Sequence, residues 1–129
     1  MIYLDTSVAL AQLLAEDRVP PAALWEEDVL VSSRLIEYEL WTRIHARQLG
    51  RTHGEPVRLI LGRLALIELA PPVLARALEP FPTVVRTLDA LHLASLEFLR
   101  KQGQQVALAS YDARMREAAR RLRVPLYEL

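Results

Sequence analysis

Four acids stand where this chain passes from one element to the next. Asp5 closes the apolar run Met1-Ile2-Tyr3-Leu4, and Asp112 follows Val106-Ala-Leu-Ala-Ser-Tyr. Glu39 lies in Ser33-Arg-Leu-Ile-Glu-Tyr-Glu-Leu-Trp and Asp89 in Arg86-Thr-Leu-Asp-Ala-Leu-His-Leu-Ala, each near the start of a helical stretch. The set contains only carboxylates and the chain has no Cys, so its chemistry is that of a hard cation. Mg2+ or Mn2+ takes oxygen ligands and offsets the repulsion of crowded acids. It also activates water and stabilises charge building on a phosphoryl group. The pattern points to phosphodiester hydrolysis.

Each acid has a plainer use as well. Asp5 and Asp112 precede helices and suit the N-cap position. Glu39 precedes Arg43 by four residues, a surface pair worth about 0.3–0.5 kcal/mol. Asp89 suits the first turn of a helix, where a negative charge opposes the dipole. Taken together the four are less ordinary, because acids just past the carboxyl ends of neighbouring strands share one crevice. Glu37 competes with Glu39, but two residues apart on a helix they face different ways.

The elements that must position these acids follow from the hydrophobic pattern. Strand-like runs occupy 1–4, 29–31, 66–70, 106–109 and 124–127. Helical spacing marks Ser7 to Glu16, a short piece opened by Pro21, and a long helix from Ser33 to Leu49 closed by Gly50. A polar connection at 51–56 leads to a helix over 56–65. A helical turn then runs through Leu78, before helices over 86–102, with Gly103 behind it, and 112–123. Alternating strands and helices imply an α/β fold, a parallel sheet with helices on both faces.

Composition sets the frame. A chain of 129 residues supports one domain over 1–129, since a domain of about 150 residues buries roughly 68–70% of its unfolded surface. With 52% apolar and 25% charged residues it is an ordinary globule, which excludes disorder. No apolar run approaches the roughly 20 residues of a membrane span, so no membrane partner is expected. Met1 to Asp5 lacks a basic leader region, and with no Cys a cytoplasmic location is expected. Sixteen bases balance sixteen acids, so any nucleic-acid contact must use a local patch. Charge is indeed uneven: Met1–Glu39 carries eight acids against two bases, and Arg100–Arg123 seven bases against two acids.

In order, Leu4-Asp5-Thr6-Ser7, Ser33…Glu39-Leu40, Thr87-Leu-Asp89-Ala-Leu-His-Leu-Ala94 and Ser110-Tyr-Asp112-Ala-Arg-Met resemble the PIN-domain ribonucleases. The likeness is strongest to the small VapC toxins of toxin–antitoxin pairs and covers essentially the whole chain. It implies that Asp5, Glu39, Asp89 and Asp112 form a catalytic, metal-holding quartet for Mg2+ or Mn2+. It also implies an RNA substrate, a cognate antitoxin, a homodimer, and a three-layer α/β/α fold whose five-stranded parallel sheet is ordered 3-2-1-4-5. Thr6 and Ser110 match hydroxyl positions that assist the acids, with helix capping as their plainer use. Tyr38 and Trp41 are bulky departures, and Ile36 stands where a small or hydroxyl residue is common; none removes an acid. Two alternatives share the fold: a PIN nuclease in RNA processing without an antitoxin, and a non-catalytic PIN interaction module.

His92, three residues after Asp89, reads as a packing or hydrogen-bonding group rather than a ligand. Arg114 and Arg116, nearest to Asp112 on a basic last helix, are the candidate RNA contacts, against a solvated face for the rest. Helices 33–49 and 56–65 carry Trp41, Ile44, Leu49, Leu59, Ile60 and Leu64, more apolar bulk than one small core absorbs, which predicts an exposed interaction surface. Rival enzymes of similar topology fail. A phosphoacceptor receiver needs paired acids after its first strand and a Lys after its last, but Thr6-Ser7 follow Asp5 and the one Lys is Lys101. A haloacid-type phosphatase needs a second Asp where Ser7 stands.

Overall fold

In the computed structural model, which describes residues 1–15 and 17–129, the first strand pairs on both sides with later ones. The elements are β1 (Ile2–Leu4), α1 (Thr6–Leu14), β2 (Leu30–Ser33), α2 (Leu35–Ala46), α3 (Gly50–Arg63), β3 (Ala65–Ile67), α4 (Pro71–Ala77), α5 (Thr87–Lys101), β4 (Ala107–Ala109) and α6 (Ala113–Arg121). A 3-10 segment, Ala22–Glu26, bridges α1 and β2. Glu16, expected as the end of the first helix, lies outside the described residues.

All four strands are parallel, in the order β3-β2-β1-β4. Side chains alternate across the sheet and so build two cores. Ile2, Leu4, Leu30 and Ala109 pack with Val8, Leu13, Ile36, Leu40, Ile44 and Val57 of α1–α3. Tyr3, Val31 and Leu108 pack with Leu93, Leu96 and Leu99 of α5 and Met115, Ala118 and Ala119 of α6. Burial on both faces explains why β1 and β2 lack the polar alternation of a half-exposed strand. The result is three layers.

The fifth strand does not form among the described residues. Leu126 makes one isolated parallel bridge to Leu108, with Leu108 N–H donating to Pro125 O (2.8 Å) and Tyr127 N–H to Leu108 O (2.8 Å). The chain enters this edge from Arg123 at φ 61°, and Pro125 has no N–H to extend the ladder. The sheet therefore has four strands rather than five, though the bridge lies on the side where a fifth was expected.

Two boundaries also move. β2 runs on through Ser32 and Ser33, the second of them expected as the start of a helix, because both hydroxyls find partners. Ser32 Oγ donates to Leu4 O at 2.7 Å, and Ser33 Oγ accepts the N–H of Leu35 at 3.1 Å. Gly50 does not close the long helix. Gln48, at φ 57°, turns the chain, and Gly50 opens α3, so the expected connection at 51–56 is helical.

The surplus of apolar bulk on α2 and α3 is mostly absorbed, contrary to expectation. Ile44 and Leu64 are buried, while Trp41, Leu49 and Ile60 pack against the core. Trp41 also stacks on His45 (centroids 5.5 Å apart). Of those six residues only Leu59 is exposed; the most exposed large apolar side chains are instead Leu78 and Val84, each at 88%.

Candidate active site

Strand order reverses at β1, with β2 on one side and β4 on the other, which opens a crevice at the carboxyl ends of the strands. Asp5 and the Ser110–Asp112 segment leave β1 and β4 at this point. The N-terminal turns of α2 and α5 bring Glu39 and Asp89 to the same place. A cleft of about 500 Å³ is lined by all four acids together with Thr6, Ser7, Leu10, Arg43, Arg86, Thr87, Leu88 and His92.

The four acids differ in how far they serve as caps or surface partners. Asp5 occupies the N-cap position of α1, yet its carboxylate caps no backbone N–H. Its Oδ2 instead accepts from Ser7 Oγ (2.7 Å) and Ser110 Oγ (2.8 Å), and the residue is buried. Glu39 is not paired with Arg43 among the described residues: its Oε1 meets Thr6 Oγ1 at 2.7 Å and His92 Nε2 at 2.6 Å. Asp112 does cap, accepting from Arg114 N (2.8 Å) and Met115 N (3.4 Å) through Oδ1. Asp89 accepts the Arg86 N–H through Oδ2 at 3.4 Å, so its plainer use is also real. Glu37 faces away and pairs with Arg34 at 2.7 Å.

These hydrogen bonds share a feature. Every one reaches a single oxygen of its acid: Oδ2 of Asp5 and Asp89, Oε1 of Glu39, Oδ1 of Asp112. One oxygen fixes each side chain, and among the described residues the other takes no protein hydrogen bond. Among the described residues no three acidic or imidazole groups close on one point as a metal cage. Mg2+ needs no such cage, since it keeps several waters and uses one or two carboxylates directly. In donor type and in oxygens left over, the residues fit a hydrated divalent cation.

Electrostatics agree with crowding. The carboxyl of half-buried Asp89 is held above the usual range, first by desolvation and then by the charges of Asp112 and Asp5, against the Arg86 N–H and His92. Burial alone would lower the pKa of His92. The hydrogen bond and charge of Glu39, with Asp5 and Asp89 adding, outweigh it and raise the pKa.

The supporting residues divide clearly. Thr6 serves Glu39, and Ser110 both donates to Asp5 and accepts the Asp112 N–H (2.9 Å), while the cap of α6 is Asp112 itself. His92 is a buried hydrogen-bonding group, with Tyr3 Oη 2.7 Å from its Nδ1. Arg116 donates to Ser110 O at 3.2 Å and lines a neighbouring cleft with Arg18 and Tyr111. Arg114 joins the site only through its backbone N–H and lines neither this cleft nor those beside it. Sequence reasoning passed over Ser7, Tyr3, Arg43 and Arg86. Ser7 was legible in principle, since a hydroxyl two residues after a strand-end acid can bond it.

Comparison with known proteins places the geometry in a group. Residues 2–121 match the PIN domain family. The chain is 31% identical over 128 residues to Ribonuclease VapC47 of Mycobacterium tuberculosis, covering 93% of this chain and 90% of that one. It is also 32% identical over 127 residues to Ribonuclease VapC35 of the same organism, covering 95% and 92% respectively.

Proposed function

The chain belongs to the PIN-domain family, and from that premise we propose that it is a metal-dependent endoribonuclease, the toxin of a toxin–antitoxin pair. The observation that carries this reading is the gathering of Asp5, Glu39, Asp89 and Asp112 on one cleft, each anchored by one oxygen. Asp5, Glu39, Asp89 and Asp112 would hold Mg2+ or Mn2+. When bound, the cation supplies a Lewis acid for the phosphoryl oxygens and lowers the pKa of a nearby water.

The protein's own part is positioning. Ser7 and Ser110 fix Asp5 from two elements, while Thr6 and His92 fix Glu39. The remaining carboxylate oxygens are left for cation and water, which suits in-line displacement by water. Ser7 and Ser110 are committed to Asp5, so no covalent intermediate is expected.

The reading includes a cytoplasmic protein with an RNA substrate, a cognate antitoxin and a homodimer. Among the described residues no helix is long and apolar enough to cross a membrane. Exposed Leu78 and Val84 beside Leu74 supply apolar surface of the kind an oligomer covers. Incubation of the purified protein with total RNA, in Mg2+ and in EDTA, tests the activity, with fragment ends mapped after induced expression. Discrete cuts are expected in Mg2+ alone and are lost in Asp5→Asn. Intact RNA under every condition would refute the reading.

A further inference from the structure

Three further clefts share residues with the acid cleft, and they differ in chemistry. One is floored by Leu10, Leu35 and Leu88. Another is walled by Leu74, Leu78, Phe81, Val84 and Val85. The third, of about 380 Å³, continues from Ser7, Leu10 and Arg43 of the acid cleft to Ala11, Asp17, Arg18 and Tyr111. Only this third cleft brings a second guanidinium, and an aromatic ring with it.

The state of those cations matters. Arg34, Arg58, Arg76, Arg120 and Arg121 are each paired with a glutamate. Arg18 and Arg43 are exposed and have no carboxylate partner within ion-pair distance among the described residues. Arg18 is nevertheless held in place. Its Nη1 donates to Tyr111 O (3.4 Å) and its guanidinium lies over the Tyr111 ring, 5.6 Å from the centroid. A carbonyl and a ring orient the charge without neutralising it. Asp17, also on this wall, offsets one of the two positive charges.

Tyr111 is tied to the acid site itself. It stands between Ser110 and Asp112, and its N–H donates to Ser7 Oγ (3.0 Å), the hydroxyl that also bonds Asp5. The backbone that carries the ring is thereby tied to the carboxylates, and the ring itself packs against the core and under Arg18. Nucleobases stack on aromatic rings and on guanidinium planes, and phosphates take unpaired Arg.

We infer that this cleft is a nucleotide subsite, in which a base of the RNA flanking the cut stacks on the Tyr111–Arg18 platform and Arg43 takes the phosphate between it and the acids. The inference rests on the ribonuclease reading and adds the direction in which the strand leaves the site.

Steady-state cleavage of a single-stranded oligoribonucleotide of about ten nucleotides, with its salt dependence, tests it. Tyr111→Ala should raise KM about 5- to 100-fold, and Tyr111→Phe, which keeps the ring, should recover most of that loss. Arg18→Gln should raise KM, and Arg43→Gln should raise KM and reduce the salt slope by about 1. Arg121→Gln, paired with Glu117 away from the cleft, should leave both unchanged. Unaltered KM in Arg18→Gln and Tyr111→Ala and an unaltered slope in Arg43→Gln, with RNA still cut, overturn the subsite and leave the nuclease reading standing. A fall in kcat alone overturns it too, because the residues would then act through Asp5. Lost antitoxin binding with unchanged RNA KM assigns the cleft to a protein and overturns it. Failure of the unaltered protein to cut RNA removes both readings.

Discussion

His92 Nε2 lies 2.6 Å from Glu39 Oε1, deep in the wall of the acid cleft. An ionised carboxylate can only accept, so Nε2 carries its hydrogen whether the ring is neutral or charged. On the other side of the ring, Tyr3 Oη stands 2.7 Å from Nδ1. Burial, with the charge of Asp5 adding, raises the Tyr3 pKa far above its ordinary value, so the phenol keeps its proton. A residue in the middle of β1 thus reaches Glu39 through one imidazole.

Removal of that imidazole should loosen Glu39 without removing it. Partners that orient a metal-site ligand typically matter about 10- to 100-fold in activity or metal affinity, and His92→Ala is expected in that range. Any of Asp5→Asn, Glu39→Gln or Asp89→Asn should cost more. His92→Ala also removes one partner of the buried Tyr3 hydroxyl, which Ser32, Ser95 and the Ser33 backbone still approach, at about 0.5–1.5 kcal/mol of stability. Cleavage rates and urea melts of the four variants check the order. A His92→Ala loss larger than that of Asp5→Asn would make the ring a reacting group.

Asp112 has two jobs that substitution can separate. As N-cap of α6 it is replaced almost equally well by Asn, so Asp112→Asn should unfold within about 0.5 kcal/mol of the unaltered protein. Asp112→Ala should lose about 1 kcal/mol. If the cap were its whole role, activity would follow stability and survive in Asn. Both variants are instead expected to lose RNA cleavage to a similar degree.

Much of this was legible in the sequence because the acids sit at strand ends and helix starts, which apolar runs mark well. The parallel sheet and its flanking helices follow from the same pattern. Ser32 and Ser33 escaped because buried serines look polar until Leu4 O and Leu35 N–H are seen to satisfy them. Gly50 misled because Gln48 took the left-handed turn. Arg43 and Tyr111 are far apart in the chain, and only the closing of the sheet brings them to one cleft, as it brings Tyr3 to His92. Four strands rather than five follow from Pro125, whose missing N–H ends a ladder that its apolar neighbours suggest.

Asp89 gives a pH signature in the metal-free protein. Its folded-state pKa is raised, so ionisation of this group destabilises the fold. The penalty is absent below the unfolded-state pKa, grows as pH rises through the folded value, and is full at neutral pH. In EDTA, Asp89→Asn should therefore melt at or above the unaltered protein at pH 7. The difference should shrink toward zero as pH falls below the carboxylate range. A constant difference across pH, in thermal melts of both proteins, would mean that Asp89 carries no such burden.

Metal should reverse the balance of charge. A cation that binds the folded cleft and not the unfolded chain stabilises by RT ln(1 + [L]/Kd), about 1.4 kcal/mol for ~10 mM Mg2+ at an assumed Kd near 1 mM. For a chain of this size that corresponds to about 4–8 °C in melting temperature. Asp5→Asn should respond differently in the two conditions. Without metal it removes one of the repelling charges; Ser7 and Ser110 can still donate if the amide oxygen takes the place of Oδ2. Its melting temperature in EDTA should hold or rise while the Mg2+ increment shrinks. If the cleft binds no metal through Asp5, the increment stays the same in both proteins. Thermal melts at matched ionic strength, with Mg2+ and with EDTA, separate these outcomes independently of any RNA substrate.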